Sequence, residues 1–573
     1  MVQLVSSRRN WCLATLALFA SFALPDGICI VASADSPTVR GAVEARHGLV
    51  VSVSEPASEV GLKILQKGGN AVDAAVATAF ALAVTYPAAG NLGGGGFMVV
   101  YPGGKADPVV IEYRETAPAA ASKTMYPKGT ALYGHRVVGV PGTVRGLALA
   151  HERYGKLSWK EVVQPALRLA EEGFALDDTV ASSINGVVAS AGDFAELRRV
   201  YGKNNGTEDW RTGDRLVQKD LAGTLRLIAD GGADAFYKGP IADQIAAEMH
   251  SGDGLITKHD LAAYRAKARP PIHGTYRGYD VYGPPPPSSG GICLVEMLNI
   301  LENFDLRTHE RWSPETVHLM IEAMRRAYCD RARYLGDTDF VKVPAHLISK
   351  DYARTLARSI DLGKATPSAD LAKDIPLAAE GDSTTHFSII DKDGMAVSNT
   401  YTLERSYGSR VVVKGAGFLL NDEMMDFNWR PGYTNREGVI GTEPNQIAPG
   451  KRMLSSQTPT IVARNGKVVL VTGSPGSRTI INTVLSVVIN VLDYDMGICA
   501  AVDAPRLHHA WFPDVVRFEE VGTHAATMDR LRQMGHKIQG TRQGDAHSIW
   551  VDPKTGLYYG AEDRRIDGKA VGY

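Results

Sequence analysis

The sequence predicts an α+β fold in which helices pack on sheets as layers. Three observations predict it. An early region holds strand and helix patterns side by side. The middle of the chain is dominated by helical periodicity, and from Thr384 onward the texture changes to short alternating β runs.

The elements follow in order. His47 to Ser54 alternates like a strand, and Glu55 to Lys67 has helical spacing. After Gly68-Gly69-Asn70, the run Ala71 to Tyr86 is apolar nearly all round and too short to cross a bilayer, so it reads as a helix buried inside the protein. A glycine-rich stretch, Asn91 to Gly96, precedes a strand at Phe97 to Tyr101. It lacks the G-x-G-x-x-G order between strand and helix that a dinucleotide loop requires. Helices are expected over Trp159–Glu172, Leu221–Asp230, Ile241–His250 and Pro314–Tyr328. The segment Pro284 to Gly291 reads as a stiff surface loop, because successive prolines fix their own φ and supply no N–H. Strands are expected over Thr385–Ile390, Met395–Leu403, Arg410–Val413, Thr460–Ala463 and Val468–Thr472.

Composition excludes several function classes. With 62 Lys and Arg against 63 Asp and Glu in 573 residues, the chain lacks the positive charge that phosphate binding concentrates, so nucleic acid is not its partner. A hydrophobic share of 44% is near the globular average and excludes wholesale disorder. Arg8 and Arg9 precede an apolar run from Trp11 to Leu24, and Ala32-Ser33-Ala34 suits cleavage by a signal peptidase. Residues 1–34 therefore read as a signal peptide, with a periplasmic or extracellular product. Cys293, Cys329 and Cys499 then remain, an odd number without C-x-x-C or a His spacing for zinc. They are expected as buried free thiols, and neither metal nor cofactor is expected.

Familiar catalytic signatures are absent. There is no G-x-S-x-G elbow, no Walker loop and no H-E-x-x-H. The adjacent His508 and His509 would point apart on a strand, which makes them poor joint metal ligands. What remains is the segment around Thr384. Asp391-Lys392-Asp393-Gly394 has Asp first and Gly fourth, the pattern of a type I turn completed by a left-handed glycine. That turn sets Asp391 opposite Met395 and, further along, Thr384 opposite Thr402, two hydroxyls able to hydrogen-bond across a β pair. Spacing alone leaves such a pair an ordinary strand feature.

Thr384-Thr385-His386-Phe387-Ser388, the turn and Tyr401-Thr402-Leu403 resemble the γ-glutamyltranspeptidases of the N-terminal-nucleophile hydrolase superfamily. So do Leu420 to Phe427, Leu454-Ser455-Ser456, Gly473-Ser474-Pro475-Gly476, Arg506 to His509, Asn91 to Gly96, Tyr113-Arg114-Glu115 and Val140-Pro141-Gly142. The resemblance implies a four-layer αββα sandwich. It further implies self-cleavage between Ser383 and Thr384, giving a large chain 35–383 and a small catalytic chain 384–573 interleaved in one fold. Thr384 then corresponds to the nucleophile and Thr402 to the residue that orients it. Gly476 and Ser477 match the oxyanion pair, with Ser477 where glycine is frequent. Arg114, Ser455 and Ser456 match binders of the substrate α-carboxylate, while Glu404, Glu423 and Asp426 match binders of its ammonium. Glutathione-like γ-glutamyl compounds are the implied donors, and water, amino acids or dipeptides the acceptors. Asn428 to Gly450 stands at the place of a lid loop, with Glu437 where an aromatic residue is frequent and Trp429 or Tyr433 as alternative covers. Two other readings stay open on the residues: a related acylase, such as a cephalosporin acylase, and an uncleaved, inactive binding protein.

Overall fold

Turn chemistry fixes the centre of the molecule. The computed structural model describes residues 41–104, 106–127, 131–372, 375 and 384–573; the expected signal peptide and Ser383 lie outside them. Strands Thr385–Asp391 and Ala396–Thr402 form the expected hairpin, with Thr385 opposite Tyr401 and Ile390 opposite Ala396. Gly394 has φ +80°, and Asp391 Oδ1 accepts the N–H groups of Asp393 and Met395 at 2.9 and 3.1 Å. The other oxygen, Oδ2, accepts the N–H of Ala71 at 2.9 Å, joining the turn to the first residue of helix Ala71–Thr85.

Two seven-stranded antiparallel sheets carry the core. In one, the order is Lys569–Gly572, Gly48–Ser52, Thr385–Asp391, Ala396–Thr402, Gly95–Tyr101, Val109–Glu112 and Lys267–Arg269. In the other it is Val43–Ala45, Tyr558–Ala561, Ser548–Val551, Lys467–Thr472, Thr460–Arg464, Tyr279–Gly283 and Ile272–Tyr276. Alternation along each strand divides its side chains between two layers. Phe387, Ile389, Val397 and Tyr401 face helices that include Ala71–Thr85, whose every residue is buried. Ile390 and Ala396 face Ile461 and Val471 of the opposite sheet. Beyond that sheet, Val462 and Leu470 pack on helices Gly290–Leu301, Pro314–Tyr334 and Thr479–Leu492. The result is the αββα sandwich, with residues 42–372 and 384–573 alternating in both sheets.

Three expectations are corrected. Arg410–Val413 is not a strand: Tyr407, Gly408 and Arg410 all have positive φ, and only an isolated Val412–Leu419 bridge forms. Pro284–Gly291 is largely buried rather than a surface loop, and its last two glycines open helix Gly290–Leu301. Among the free cysteines, Cys293 and Cys329 are buried, but Cys499 is half-buried. Among the described residues no helix is long and apolar enough to cross a membrane.

Candidate active site

Thr384 stands one residue before its strand, at the end of the hairpin away from the turn, and is half-buried. Even-numbered residues of the hairpin face the space between the sheets. Thr384 and Thr402 line one narrow cavity there with Arg114, Glu404, Glu423, Asp426, Ser455, Ser456 and Ser477. Gly476 is the only described residue of the expected site outside that lining, next in chain to Ser477.

The scaffold explains how each side chain arrives. Thr402 Oγ1 accepts the N–H of Glu404 at 2.8 Å, which fixes the hydroxyl in place. The carbonyl of Thr402 accepts from Asn91 Nδ2 at 2.9 Å, while Asn91 Oδ1 receives the N–H of Gly94 at 2.9 Å and the hydroxyl of Thr143 at 2.6 Å. The glycine run allows this backbone contact, since a Cβ on Gly94 would lie 1.9 Å from the Thr402 oxygen. Asn421 acts similarly for the acidic side: its Oδ1 accepts the N–H of Glu423 at 3.0 Å, and its amide donates to the carbonyls of Gly93 and Gly139.

The buried proline loop holds the two serines. Ser289 donates both its N–H and its hydroxyl to the carbonyl of Ser455, at 2.8 and 2.6 Å. Arg331 donates to Ser289 Oγ at 2.9 Å and to Ser456 Oγ at 3.0 Å, and itself lines the cavity. Gly473 to Arg478 connects strand Lys467–Thr472 to helix Thr479–Leu492. Gly476 has φ +121° and Ser477 φ +49°. The left-handed turn that glycine favours is therefore made here by serine, and Glu404 is held similarly at φ +78°. Strained residues of this kind cost about 1–3 kcal/mol each and gather where a site is preorganised.

Charge is concentrated at one end. Arg114 is fully buried; its Nη1 lies 2.6 Å from Glu423 and 3.4 Å from Glu115, its Nη2 pairs with Asp426, and its Nε donates to the Met453 carbonyl at 3.3 Å. Burial pushes the Glu115 carboxyl up to about 7, with Arg114 opposing, and Asp422 up to about 6, with Arg405 opposing. Burial also drives Glu423 well above the ordinary range. A carboxyl raised by folding gives stability that is complete below its unfolded pKa, about 4.3 for Glu, and is lost as pH climbs through its folded value. The melting temperature is therefore expected to fall between pH 5 and pH 8, and Glu115→Gln is expected to narrow that fall. An unchanged slope in the variant would assign the loss to other groups.

His386, two residues from Thr384, is not placed as its base. Ser388 donates its hydroxyl to the His547 carbonyl at 2.8 Å, so it accepts from His386 Nε2 at 3.0 Å, and His386 Nδ1 accepts from Thr400 Oγ1 at 2.8 Å. Both ring nitrogens are committed, and burial holds the imidazole neutral. The group His318, Glu322 and His536 is compact enough to ligate a cation. Its hydrogen bonds already account for it: His318 Nε2 donates to the Asp361 carbonyl and His536 Nε2 to His318 Nδ1, each at 2.8 Å, while Glu322 pairs with Arg325 and Arg326.

The match to known proteins spans this whole arrangement. The family model described as Gamma-glutamyltranspeptidase matches residues 57–573. The chain belongs to the gamma-glutamyltranspeptidase family. Within the family, a glutathione hydrolase proenzyme of Escherichia coli strain K12 is 45% identical over 96% of this chain and 98% of its own length. Among solved structures, a cephalosporin acylase from Bacillus halodurans superposes with a TM-score of 0.83 at 29% identity, covering 96% of this chain and 99% of that one. The Helicobacter pylori gamma-glutamyltranspeptidase superposes with a TM-score of 0.55 at 40% identity, over 59% of this chain and 96% of that one. Arg331, Gln457, Arg478 and Ile480 of this transpeptidase-family site were not singled out by sequence. Arg331 sits in the charged run Arg325 to Arg333, which has the look of a solvated helix face until its partners are known.

Proposed function

We propose that this enzyme is a self-cleaving γ-glutamyltransferase and glutathione hydrolase that carries the γ-glutamyl group as an ester on Thr384. One observation carries the reading: a single cavity is lined by the hydroxyls of Thr384 and Thr402, the guanidinium of Arg114 and the carboxylates of Glu404, Glu423 and Asp426. A glutamyl head brings one carboxylate and one ammonium. Its carboxylate can replace Asp426 on Arg114, and its ammonium can pair with the carboxylates so released, so one ion pair is exchanged for another without net change of charge. Asp426 suits this exchange because its side chain is the more exposed partner, 26% against 0% for Glu423.

Cleavage before Thr384 converts an amide nitrogen into an amine of pKa about 8 that can take the proton of its own hydroxyl. Thr384 Oγ attacks the γ-carbonyl carbon, the backbone N–H groups of Gly476 and Ser477 hold the developing oxyanion, and the C–N bond breaks as the leaving amine takes the proton. Water then releases glutamate, or an amino acid or dipeptide amine releases a new γ-glutamyl amide. Thr402 orients the nucleophile through its hydroxyl, which the N–H of Glu404 holds in place. Thr402→Ala is expected to lower kcat by about 10²-fold with KM changed less than threefold, measured on a γ-glutamyl anilide.

The acylases share the fold, so fold likeness does not separate the two activities. Recognition of the glutamyl amino end does, and four charged groups at that end support the transferase. The test pairs a γ-glutamyl anilide with a glutaryl amide, alongside a denaturing gel and N-terminal sequencing of the smaller fragment. Turnover of the γ-glutamyl compound by two chains, the smaller beginning at Thr384, is expected. Turnover of the glutaryl amide alone, or one stable uncleaved chain, would overturn the proposal. Residues 1–34 support export to the periplasm or medium as part of the same reading.

A further inference from the structure

Gly476 and Ser477 can serve an oxyanion only if their backbone N–H groups are aimed at it. In a trans peptide the C=O and the N–H of one unit point opposite ways, so anchoring the carbonyl fixes the direction of the N–H. Neither unit is cis: Pro475–Gly476 carries the N–H of Gly476, and Gly476–Ser477 that of Ser477. A side-chain hydroxyl holds the carbonyl of each. Ser474 Oγ donates to the Pro475 carbonyl at 2.7 Å, and Thr479 Oγ1 donates to the Gly476 carbonyl at 2.7 Å. We propose that Ser474 and Thr479 are positioning residues for acyl transfer, two hydroxyls that act through the backbone to aim the two oxyanion donors. The proposal rests on the γ-glutamyl reading above.

The anchors are themselves fixed. Ser474 is fully buried, and its Oγ also accepts the N–H of Asp545 at 3.0 Å, so the hydroxyl is held from both sides. Neighbouring strands bring these residues together. Lys467–Thr472 runs into Gly473, while Ser548–Val551 follows Asp545 and pairs with it, Val471 opposite Ile549. Gly544 makes the approach possible: its φ is +70°, and a Cβ there would lie 2.6 Å from Thr483 Oγ1 and 3.1 Å from Ser474 Oγ.

Thr479 opens helix Thr479–Leu492, and its own N–H reaches the same Gly476 carbonyl at 3.0 Å. That carbonyl keeps a donor if the hydroxyl is lost, so Thr479 is the lesser of the two anchors. A Cβ on Gly476 would lie 2.5 Å from Thr479 Oγ1, which leaves room for this hydroxyl only beside glycine. The same bonds hold Ser477 at φ +49°, a conformation strained for a residue with a Cβ. Ser and Thr hydroxyls close turns in many proteins. These two differ because each carbonyl they hold shares its peptide with a donor of the oxyanion.

The test uses the cleaved form of each variant and a γ-glutamyl anilide, so a defect in maturation is not counted as one in turnover. Ser474→Ala is expected to lower kcat about 30-fold and Thr479→Val about tenfold, each with KM changed less than about threefold. Thr479→Ser keeps the hydroxyl and is expected to stay within about threefold of the unsubstituted kcat. A glutamate analogue with a boronic acid in place of its γ-carboxyl forms a tetrahedral adduct with a hydroxyl nucleophile. Its affinity is expected to fall in step with kcat, while glutamate itself binds both variants as it binds the unsubstituted enzyme. General loosening of the site would weaken both ligands alike. Equal loss of both ligands, unchanged kcat in Ser474→Ala and Thr479→Val, or a Thr479→Ser as slow as Thr479→Val would overturn the positioning role. An unsubstituted enzyme inactive on the anilide would instead overturn the γ-glutamyl reading beneath it.

Discussion

Thr384→Ala is expected to yield a protein that stays a single chain and turns over a γ-glutamyl anilide at least about 10⁴-fold more slowly than the unsubstituted enzyme. Both losses follow from one atom. In the proposed mechanism the hydroxyl that forms the acyl ester is also the one that attacks the Ser383 carbonyl, and the nearby described candidates are otherwise engaged: His386 has both nitrogens committed, and Thr402 has its oxygen engaged by Glu404. Gel electrophoresis reads the first loss and initial rates the second. Residual cleavage with full loss of turnover would separate the two chemistries, and preserved turnover would remove Thr384 from the mechanism altogether. Thr384→Ser keeps the hydroxyl and the amine, so it is expected to restore cleavage to two chains and part of the rate.

The second large effect concerns Arg114. It is buried against Glu115, Glu423 and Asp426, so Arg114→Met strands carboxylates that burial has already driven toward their neutral forms. Breaking a buried pair from one side costs about 3–5 kcal/mol, which is a fall in melting temperature of several degrees. On the proposed mode of binding, donor affinity should fall with it, because the glutamyl carboxylate loses its fork. Stability and binding can be separated with the double variant Arg114→Met, Glu423→Gln. Removing one orphaned carboxyl should return part of the stability while leaving the anilide KM raised by about 10²-fold. Recovery of KM together with stability would mean that Arg114 acts only as scaffold.

The legible part of this molecule was the part fixed by local chemistry. Asp391 and Gly394 determine a turn, the turn determines a register, and the register puts Thr384 and Thr402 at one end of one face before any tertiary contact is known. Residues joined by sequence-distant packing were not legible. Arg331 lies within a run of charges on a helix, and its task becomes visible only when the proline loop is seen to carry Ser289 back to Ser455. That loop reads as surface because prolines and serines are usually exposed, whereas here its hydroxyls meet the Ser455 and Gln457 carbonyls. Arg410–Val413 reads as a strand from three consecutive valines, but backbone with positive φ on its approach prevents pairing. The roles of the charged residues came from family resemblance, since each alone is an ordinary surface charge.

The order of strands has a consequence for how the protein is made and lost. Hairpin 385–402 sits between Gly48–Ser52 and Gly95–Tyr101, and Lys569–Gly572 lies outside Gly48–Ser52. A cut before Thr384 therefore produces two polypeptides, neither of which possesses a complete sheet. Assembly from the uncut precursor is a first-order process, since every strand is tethered to its neighbours. Reassembly after the cut becomes a second-order search between two chains with exposed edges, and aggregation competes with it. Activity recovered from denaturant should then depend on protein concentration for the cut form alone. On the proposed cleavage, the peptide bond before Thr384 would be one needed only once, as the template of the protein's own assembly.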